Sequence, residues 1–522
     1  MSAAATTPVP EKCRVLVIGG GPGGSYAATV LARENIDTVV LEAEHHPRYH
    51  IGESTLVSFR HYLKFIDLHE EFDKHGFTTK VGAAFKMVPN GREGFTDFRA
   101  GGPDNIAWNL IRSEADEKMF RHAEKSGANT YEGVKVQSIN FEDTKDANGI
   151  NGDAQLNVGR PVSAQWKRDD GTTGKIAFDY VVDASGRAGL LSTKYLKNRS
   201  YSKALKNVAN WAYFTGGKRY QEGTDRGNSP LFEALHGKIT DESGWVWYIP
   251  LHNGTHSVGV VRNQNVAAEK KKEADSVQHY FTESLKLSPM ISKLLGTDSE
   301  QVTSIHSASD FSYHAKSYAI PHARIVGDAG CFIDPFFSSG LHLALTAALS
   351  AATTIAASIR GDVDEAVGTK WHTDKIREAY ARFLLVVLGT YQQMRNQEAP
   401  VLSEVGEDNF DRAFKFFQPV IQGTSDSTDK FTQADLTKTV SFLTAALTPV
   451  MRPDGPDASQ KPLLGKNELV GAEDEEALKA LVMHHQSDTA HGLDKFTTDV
   501  IDGRIPRLER GNLTLTLVEN KA

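Results

Sequence analysis

The pattern of apolar and polar positions near the start of the chain predicts a strand–helix–strand unit. Arg14–Ile18 is a short apolar run of the kind that forms a buried parallel strand. Apolar residues recur at helical spacing from Ser25 to Arg33, and a second apolar run follows, ending at Glu42. The pattern therefore predicts that the chain begins with a βαβ unit of an α/β fold.

Apolar runs later in the chain predict further strands. Two runs flank Asp170-Gly171, which predicts a hairpin, and a buried strand is predicted to follow it and to end in Asp183–Arg187. A helix is predicted to start near Ser113, after strand-like segments. Asp143–Arg160 is rich in Gly, Asn and Asp, which predicts a surface insertion. The other predicted strands are residues 208–215, 245–261 and 324–326.

Helical patterns dominate the second half of the chain. Residues 265–285 predict one amphipathic helix whose lysines 270–272 lie on its solvated face, and Ser339 precedes a long Ala/Leu-rich helix. The segment 364–522 is expected to be mainly helical and to cap the rest of the chain. The domain prediction is therefore a core of residues 1–363 and a C-terminal region of residues 364–522.

Composition narrows the class of protein. The chain has 522 residues, 40% of them hydrophobic, and a formal net charge of −8, which gives no basic surface for nucleic acid. Two cysteines, Cys13 and Cys331, exclude a disulfide framework and fit a reducing compartment. The start of the chain does not resemble a signal peptide, and no apolar window suggests a membrane span. We expect a soluble, cytoplasmic protein with no membrane insertion.

The glycines after the first strand predict a dinucleotide site. Gly19, Gly21 and Gly24 satisfy G-x-G-x-x-G between a strand and a helix, and Glu42 lies 18 residues beyond Gly24. Glycines let the backbone approach a pyrophosphate, the helix N-terminus attracts anions, and the acid can bind a ribose hydroxyl. The alternative is a tight strand–helix turn that binds nothing.

Two more glycine-bearing segments favour FAD over NAD. Asp183–Arg187 reads D-A-S-G-R, and Gly327-Asp328 begins G-D-A-G, as in flavin monooxygenase-type proteins. Asp328 can accept a hydrogen bond from the ribityl chain of FAD. The predicted fold class is therefore α/β, an FAD-binding Rossmann-type fold with a β-sheet substrate region and a mainly helical C-terminal region. Its Rossmann elements lie near residues 12–55, 175–190 and 320–350, and its substrate sheet near 78–110 and 205–265.

Motifs outside the glycine segments make the sequence resemble the flavin-dependent halogenases. The W-x-W-x-I-P signature of that family stands here as residues 245–250, the stretch "GFTTKVGAAFKM" matches its catalytic-lysine region, and "PRYHIGES" and "DPFFSSGLHLAL" resemble its fungal members, such as the radicicol-pathway halogenases. The resemblance covers residues 12–350. It implies a catalytic Lys80, a flavin-side wall of Trp245, Trp247 and Ile249, and halide binding at Ser339 and Gly340. It implies FAD contacts at Gly19, Gly20, Gly21, Gly23, Gly24, Glu42, Arg48, Glu53, Asp328 and Leu341.

The resemblance also implies a reaction. A separate flavin reductase supplies FADH2, and oxygen and chloride (or bromide) then give hypochlorous acid, which Lys80 delivers to an aromatic ring. A backbone N–H site at a helix N-terminus can hold the halide, although Ser338-Ser339-Gly340 can also be a plain helix cap. A free lysine is almost fully protonated at pH 7, so a chloramine requires a pKa lowered by burial, whereas hydrogen bonding by the ammonium does not. The sequence leaves both routes open.

One departure from the family bears on the acceptor. Tryptophan halogenases have a glutamate two positions before the halide-binding pair, and Phe337 stands there in this chain. A phenol activates its own ring, so we predict a phenolic polyketide or related secondary metabolite as the substrate. His50 and His342 are weak candidates for the group that takes the phenolic proton.

Two alternatives remain at this level. An FAD-dependent aromatic hydroxylase would share the fold and needs neither Lys80 nor the tryptophan pair, and a non-catalytic FAD-binding protein would need no chemistry at all. A metal site is not expected, because His46/His50 and His252/His256 lie in loops without an obvious third ligand.

Overall fold

A computed structural model describes residues 7–87, 93–142, 158–236, 244–394, 496 and 500–518. The predicted βαβ unit is confirmed, because two parallel strands flank a helix that begins at Pro22, within the glycine cluster. Most of the predicted insertion, residues 143–157, lies outside the described part of the chain.

A sheet of eight strands forms the first layer, in the order β19-β20-β10-β1-β2-β7, with β9 joined to β10 and β8 to β9. Strand β1 is central and parallel to both of its neighbours. Its residues 15–17 are fully buried, as the apolar run predicts for a strand covered on both faces. The hairpin predicted at Asp170-Gly171 is formed by β9 and β10. The strands are β1 (Lys12–Ile18), β2 (Thr38–Leu41), β7 (Asn129–Tyr131), β8 (Val134–Phe141), β9 (Pro161–Arg168), β10 (Thr173–Asp183), β19 (Ala319–Ile320) and β20 (Ala323–Ile325).

A second eight-stranded sheet, mostly antiparallel, carries the tryptophan motif. Its order is β16-β12-β15-β14-β13-β4-β5, and β17 also pairs with β12. Every residue of β14 is buried, so both faces of this strand are covered. The strands are β4 (Gly82–Lys86), β5 (Gly94–Asp97), β12 (Asn207–Thr215), β13 (Leu231–Ala234), β14 (Gly244–Pro250), β15 (His256–Asn263), β16 (Glu300–Gln301) and β17 (His306–Ser309).

Three two-stranded pairs complete the β structure. Strand β3, which ends at Lys80, pairs with β6 rather than with the second sheet. The pairs are β3 (Thr78–Lys80) with β6 (Ala107–Asn109), β11 (Arg199–Tyr201) with β18 (Tyr313–Ala315), and β21 (Arg504–Arg507) with β22 (Thr514–Leu517).

Helices cover the sheets, and the longest two pack on each other. The helices are α1 (Pro22–Arg33), α2 (Val57–Phe65), α3 (His69–His75), α4 (Arg112–Lys125), α5 (Gln264–Glu273), α6 (Val277–Lys286), α7 (Pro289–Leu295), α8 (Gly340–Arg360) and α9 (Glu365–Met394). Helix α8 is long and apolar enough to cross a membrane by composition, but 89% of its most apolar window is buried inside the protein. It is a core helix, and the expectation that the chain has no membrane-spanning segment stays a prediction.

One sequence prediction needs correction. The single amphipathic helix expected over residues 265–285 is two helices, because Ala274 is extended and the hydroxyl of Ser276 accepts a hydrogen bond from the N–H of His279, which caps α6. The described part of the C-terminal region holds helix α9 and an antiparallel hairpin of β21 and β22, which is not among the predicted strands. The domain boundary at residue 363 stays a prediction.

A buried carboxylate attaches the C-terminal hairpin to the first layer. Glu34, at the end of α1, accepts hydrogen bonds from the backbone N–H groups of Gly511 (2.6 Å) and Leu513 (3.1 Å). Arg360, at the end of α8, donates to the same carboxylate. One side chain therefore joins two helices to the hairpin.

We predict that Glu34→Gln destabilises the protein, because the amide replaces one of the two acceptor oxygens and removes the charge that pairs with Arg360. Breaking hydrogen bonds to a buried charged group costs about 1–3 kcal/mol. Denaturant unfolding of the variant beside wild type measures the loss. Glu70→Gln, at an exposed ion pair with Lys74, is the control and should leave stability unchanged. Equal stability of Glu34→Gln and wild type would show that the hairpin is held by other contacts.

Candidate active site

A cavity of about 700 Å³, called here the main cavity, lies where the two sheets meet. Its wall runs from the glycine loop after β1 to the tryptophans of β14 and to the start of α8. This volume is in the range of cofactor pockets. The sequence-predicted residues on this wall are Gly19, Gly21, Gly23, Glu42, Arg48, Glu53, Trp245, Trp247, Ile249, Asp328, Gly340 and Leu341.

The glycines divide into two groups. Gly19, Gly21 and Gly23 line the main cavity, and Gly19 has a φ of +101°, which favours glycine. Gly20 and Gly24 serve packing: a Cβ on Gly20 would lie 2.5 Å from the ring of Phe120, and one on Gly24 would lie 1.9 Å from the carbonyl oxygen of Gly19. The loop thus leaves bare backbone next to the N-terminus of α1, which is a cradle that fits a pyrophosphate.

Glu42 and Arg48 lie over this cradle. The carboxylate of Glu42 accepts from the backbone N–H groups of Gly20 (2.5 Å) and Glu44 (2.9 Å), so its position is fixed while it remains on the cavity wall. The guanidinium of Arg48 lies 3.2 Å from the point where a Cβ on Gly21 would be. Arg48 also pairs with buried Asp116 at 3.2 Å. A fixed acid and a cation beside bare backbone match the ribose and phosphates of a dinucleotide.

Arg112 and Asp116, four residues apart on α4, form a buried pair that supports Arg48. Arg112 donates to both oxygens of Asp116, at 2.8 and 3.1 Å. This pairing keeps the pKa of Asp116 below its usual range although burial alone would raise it. A charged Asp116 holds Arg48 in place. Sequence reasoning missed both residues, although an Arg and an Asp at i and i+4 near a helix start are a readable signal.

The wall opposite the cradle includes Asp328 and the start of α8. Burial raises the pKa of Asp328 to about 6, while the guanidinium groups of Arg112, Arg187 and Arg199 oppose the shift. Gly340 and Leu341 lie on this wall, and so does Ser338, whose φ is +57°. The structure does not place Ser339 on the wall.

The start of α8 faces the main cavity without a side-chain cap. Ser339 is the N-cap residue, and its hydroxyl makes no capping hydrogen bond. The first N–H groups of a helix have no acceptor within the helix, so they are available to a bound anion. The plain capping alternative for Ser339 is therefore not what the structure has.

Aromatic side chains form the wall at the second sheet. Trp245 and Trp247 lie 5.9 Å apart between ring centroids, and Trp211 of β12 lies 6.3 Å from Trp247. Trp245 donates to the hydroxyl of Tyr391, and Trp247 donates to the hydroxyl of Ser257. Each indole N–H of the motif is satisfied inside the protein, so the rings are fixed. The alternation of a strand puts both tryptophans on one face, as the sequence pattern indicates.

Glu53 belongs to a buried hydrogen-bond network. Its carboxylate accepts from the hydroxyl of Tyr213 and, at 3.4 Å, from that of Ser257. Burial raises the pKa of Glu53, and the Tyr213 hydrogen bond is the strongest opposing effect. Tyr213 also contacts the hydroxyl of Tyr49, which accepts from Trp211. Glu53 therefore links the tryptophan wall to the neighbouring residue Ser54, which contacts Lys80.

The amine of Lys80 is fully buried, and the side chain is 1% exposed. Its Nζ donates to the hydroxyl of Ser54 and to the carbonyl oxygen of Thr55, both at 2.8 Å, and lies 5.1 Å from the ring centre of Phe98. Lys80 is not on the wall of the main cavity, but Ser54 is. Ser54 therefore both lines the cavity and holds the amine.

Burial lowers the pKa of Lys80 to about 7, and no ion pair with a residue that the structure describes opposes the shift. At neutral pH about half of the amines are then unprotonated, whereas a free lysine is almost entirely charged. The neutral amine has two N–H bonds, and Ser54 and Thr55 accept both, which leaves its lone pair free. The amine can therefore act as a nucleophile or, when protonated, donate a third hydrogen bond.

The position of the glutamate in tryptophan halogenases is aromatic here. Phe337 is 3% exposed and packs against Phe336 and Phe85, with ring centroids 4.8 and 5.5 Å apart. The carboxylate that precedes it in the chain, Asp334, accepts from Tyr391 and Asn207 instead.

The two candidate histidines differ in their surroundings. His50 lies on the wall of the main cavity, where Arg112 and burial lower its pKa to about 4. His342 is buried in α8 and contacts the hydroxyl of Ser58 at 2.9 Å. His342 is not on the cavity wall, so the structure favours a packing role for it.

The chain is similar to known halogenases in sequence and in structure. The model of the tryptophan halogenase family matches residues 14–107 and 101–461. The flavin-dependent halogenase ascD of Acremonium egyptiacum is 55% identical over 97% of this chain and 93% of its own length. The sulochrin halogenase gedL of Aspergillus terreus is 51% identical over 97% of this chain and 94% of its own. The myxobacterial chondrochloren halogenase CndH, an FAD-dependent halogenase of known structure, is 27% identical with a TM-score of 0.65, covering 84% of this chain and 98% of that protein.

We predict that Lys80 gives the protein a stability that rises with pH. The pKa of Lys80 is about 7 in the folded state and near 10.4 when unfolded, so unfolding takes up a proton between these values. Stability relative to Lys80→Met should therefore rise between pH 7 and pH 10, by about 1 kcal/mol per pH unit, and should be independent of pH below 6. Denaturant unfolding of both proteins at equal FAD loading measures the difference. A difference that stays constant from pH 6 to pH 9 would contradict a neutral buried amine.

Proposed function

We propose, from the premise that this chain belongs to the family of flavin-dependent halogenases, that it chlorinates an electron-rich phenolic ring with an oxidised halogen presented by Lys80. The chain is an enzyme of this family, and the hydroxylase and binding-protein alternatives are not favoured. The observation that carries the proposal is the buried amine with a pKa near 7, which is hydrogen-bonded to Ser54 of the main cavity wall.

FAD fits the main cavity, and each part of the wall suits a different part of it. The backbone of Gly19, Gly21 and Gly23 would face the pyrophosphate, Glu42 the ribose, and Arg48 the phosphate charge. Asp328 would accept from the ribityl hydroxyls, Leu341 would contact the ring system, and the tryptophan wall would border it. When bound and reduced by a separate reductase, FAD supplies the reducing equivalents with which oxygen converts chloride to hypochlorous acid.

The N-terminus of α8 would hold the halide. The backbone N–H groups of Ser339 and Gly340 belong to the uncapped first turn, and an anion needs no cation where such groups converge. The surrounding wall is largely apolar, which removes water from the halide and makes it a better nucleophile. Chloride and bromide both fit these requirements.

Lys80 would then present the electrophile to the acceptor. In one route the neutral amine attacks the chlorine of hypochlorous acid, an N–Cl bond forms, and water leaves with the amine proton. In the other route the ammonium donates a hydrogen bond to the oxygen, which leaves as water when the ring attacks the chlorine. In both, the ring gains chlorine and loses one proton. A pKa near 7 allows either protonation state.

A phenolic acceptor is supported by what replaces the missing glutamate. The Phe337 ring packs among aromatic side chains and offers no negative charge to stabilise a cationic indole intermediate. A phenol loses its own O–H proton and reaches a neutral dienone, so it needs less support. One relative is named for halogenating sulochrin, which supports a small-molecule acceptor. The cytoplasmic location and the reductase partner stay predictions.

We predict that Lys80→Ala abolishes chlorination, with a fall of at least a thousandfold, because an oxidised halogen then has no amine to hold it. FAD affinity and the reoxidation of bound FADH2 by oxygen should be unchanged, since Lys80 is not on the cavity wall. Product formation is measured by mass spectrometry with a phenol, chloride and a flavin reductase. Lys64→Ala, at an exposed lysine of α2, is the control. Chlorination by Lys80→Ala near the wild-type rate would disprove the role.

Lys80→Arg separates the two routes. Arginine keeps a permanent cation that donates hydrogen bonds but does not become a neutral amine at this pH. Residual chlorination well above that of Lys80→Ala supports hydrogen bonding, and equal loss in both variants supports the chloramine.

We predict that a resorcinol-type phenol is chlorinated at least tenfold faster than free tryptophan under the same conditions. The physical reason is that Phe337, unlike a glutamate, offers no negative charge. A phenol reaches a neutral dienone without such a charge, whereas the cationic intermediate of an indole needs one. Competition between the two acceptors in one reaction, with both products quantified by mass spectrometry, removes differences in FADH2 supply. Faster chlorination of tryptophan would overturn the assignment of the acceptor class and leave the role of Lys80 intact.

A further inference from the structure

We propose that His75, Glu114 and His252 form a site for one zinc ion, separate from the main cavity. These three residues, called here the His–Glu–His cluster, offer ligand atoms that all lie within 4.8 Å of one another. Nothing in the halogenation reaction uses them. In the sequence, His252 and His256 have the spacing of a possible ligand pair. The fold instead places His252 beside His75 and Glu114, which lie far away along the chain.

Three different elements supply the cluster. His75 is the last residue of α3, Glu114 is in the first turn of α4, and His252 is in the turn after β14. The Nε2 atom of His75 lies 2.5 Å from Oε2 of Glu114, and the Nε2 atom of His252 lies 3.3 Å from the same oxygen. The two imidazole nitrogens therefore point at one carboxylate oxygen from different directions.

The ligand types and distances suit zinc. Two imidazoles and a carboxylate are a common zinc set, with bonds of about 2.0–2.2 Å. Tetrahedral ligands at that distance lie about 3.3–3.5 Å apart. The distance between Nε2 of His252 and Oε2 of Glu114 already has this value. The distance between Nε2 of His75 and the same oxygen has to lengthen by about 1 Å. The side chains are 20–35% exposed, so they can rotate and water can take the fourth position.

Neighbouring groups orient the imidazoles and also determine the expected affinity of the cluster for zinc. The ring of Phe77 packs against His75 and His252, with centroids 4.3 and 5.3 Å apart. Among the described residues, the Nδ1 atom of His252 has no acceptor. Hydrogen bonds from that second nitrogen typically strengthen a metal site 10- to 100-fold. We therefore expect binding in the micromolar range.

A bound zinc ion would cross-link the parts of the fold that carry the proposed active-site residues. His75 precedes Lys80 by five positions, Glu114 lies between Arg112 and Asp116, and His252 follows the tryptophan strand. An ion held by all three would fix these elements relative to one another. The expected consequence is a higher thermal midpoint with zinc.

The experiment uses the full-length protein without a histidine tag, equilibrated with Zn²⁺ and analysed for bound metal. Wild type should bind one equivalent more than His252→Gln, Glu114→Gln or His75→Gln, whatever other histidines of the chain contribute. His279→Gln is the matched control. His279 also lies between two carboxylates, but its two ring nitrogens face different ones, so it cannot chelate a single ion with both. Equal zinc in wild type and the three variants would overturn the proposal.

Cobalt gives a test that does not depend on the folding of any variant. Co²⁺ in a tetrahedral site with nitrogen and oxygen ligands absorbs in the visible region far more strongly than octahedral Co²⁺. Wild type should show this absorption at one equivalent of Co²⁺ and lose it on addition of Zn²⁺, and its thermal midpoint should rise with Zn²⁺ while that of Glu114→Gln does not. Absence of the absorption in wild type would show that the cluster is only a hydrogen-bonded group.

Discussion

The cost of burying one amine is the constraint on which the rest of the site depends. Lys80 is removed from water and has no carboxylate partner in the described part of the chain, so its ammonium form is destabilised and its pKa falls to about 7. The burial is possible because Ser54 and Thr55 accept two N–H bonds from the amine. A carboxylate in the same place would satisfy the amine better and would also keep it protonated. The low pKa of Lys80 therefore comes from burial without a counter-charge among the described residues.

The two sheets meet at the main cavity, which Ser54 lines while it also holds this amine. The first sheet supplies the glycine cradle and the acid that lies beside it, and the second supplies a wall of fixed indoles. Between them runs the segment around Glu53 and Ser54, which lines the main cavity on one side and holds Lys80 on the other. We propose that an oxidised halogen formed in the cavity reaches the amine past Ser54.

Much of the fold was predictable, because its signals are local. The apolar run of β1, the glycines that follow and the spacing of Trp245 and Trp247 each depend on a period of two or of 3.6 residues. The break at Ser276 has a local signal, a capping serine, and β22 has one in the alternation of residues 513–518. The partners of Glu53 were not predictable, because Tyr213 and Ser257 lie more than 150 positions away.

The central proposal is that the oxidised halogen stays inside the protein from the main cavity to Lys80. The most direct measurement is the yield of chlorinated phenol per FADH2 consumed, with and without excess free methionine, which removes hypochlorous acid from solution by oxidation to the sulfoxide. The account predicts the same yield in both conditions and no methionine sulfoxide beyond the background without enzyme. A yield that falls as methionine is added, with sulfoxide appearing in its place, would show that the oxidant leaves the protein and would contradict the account.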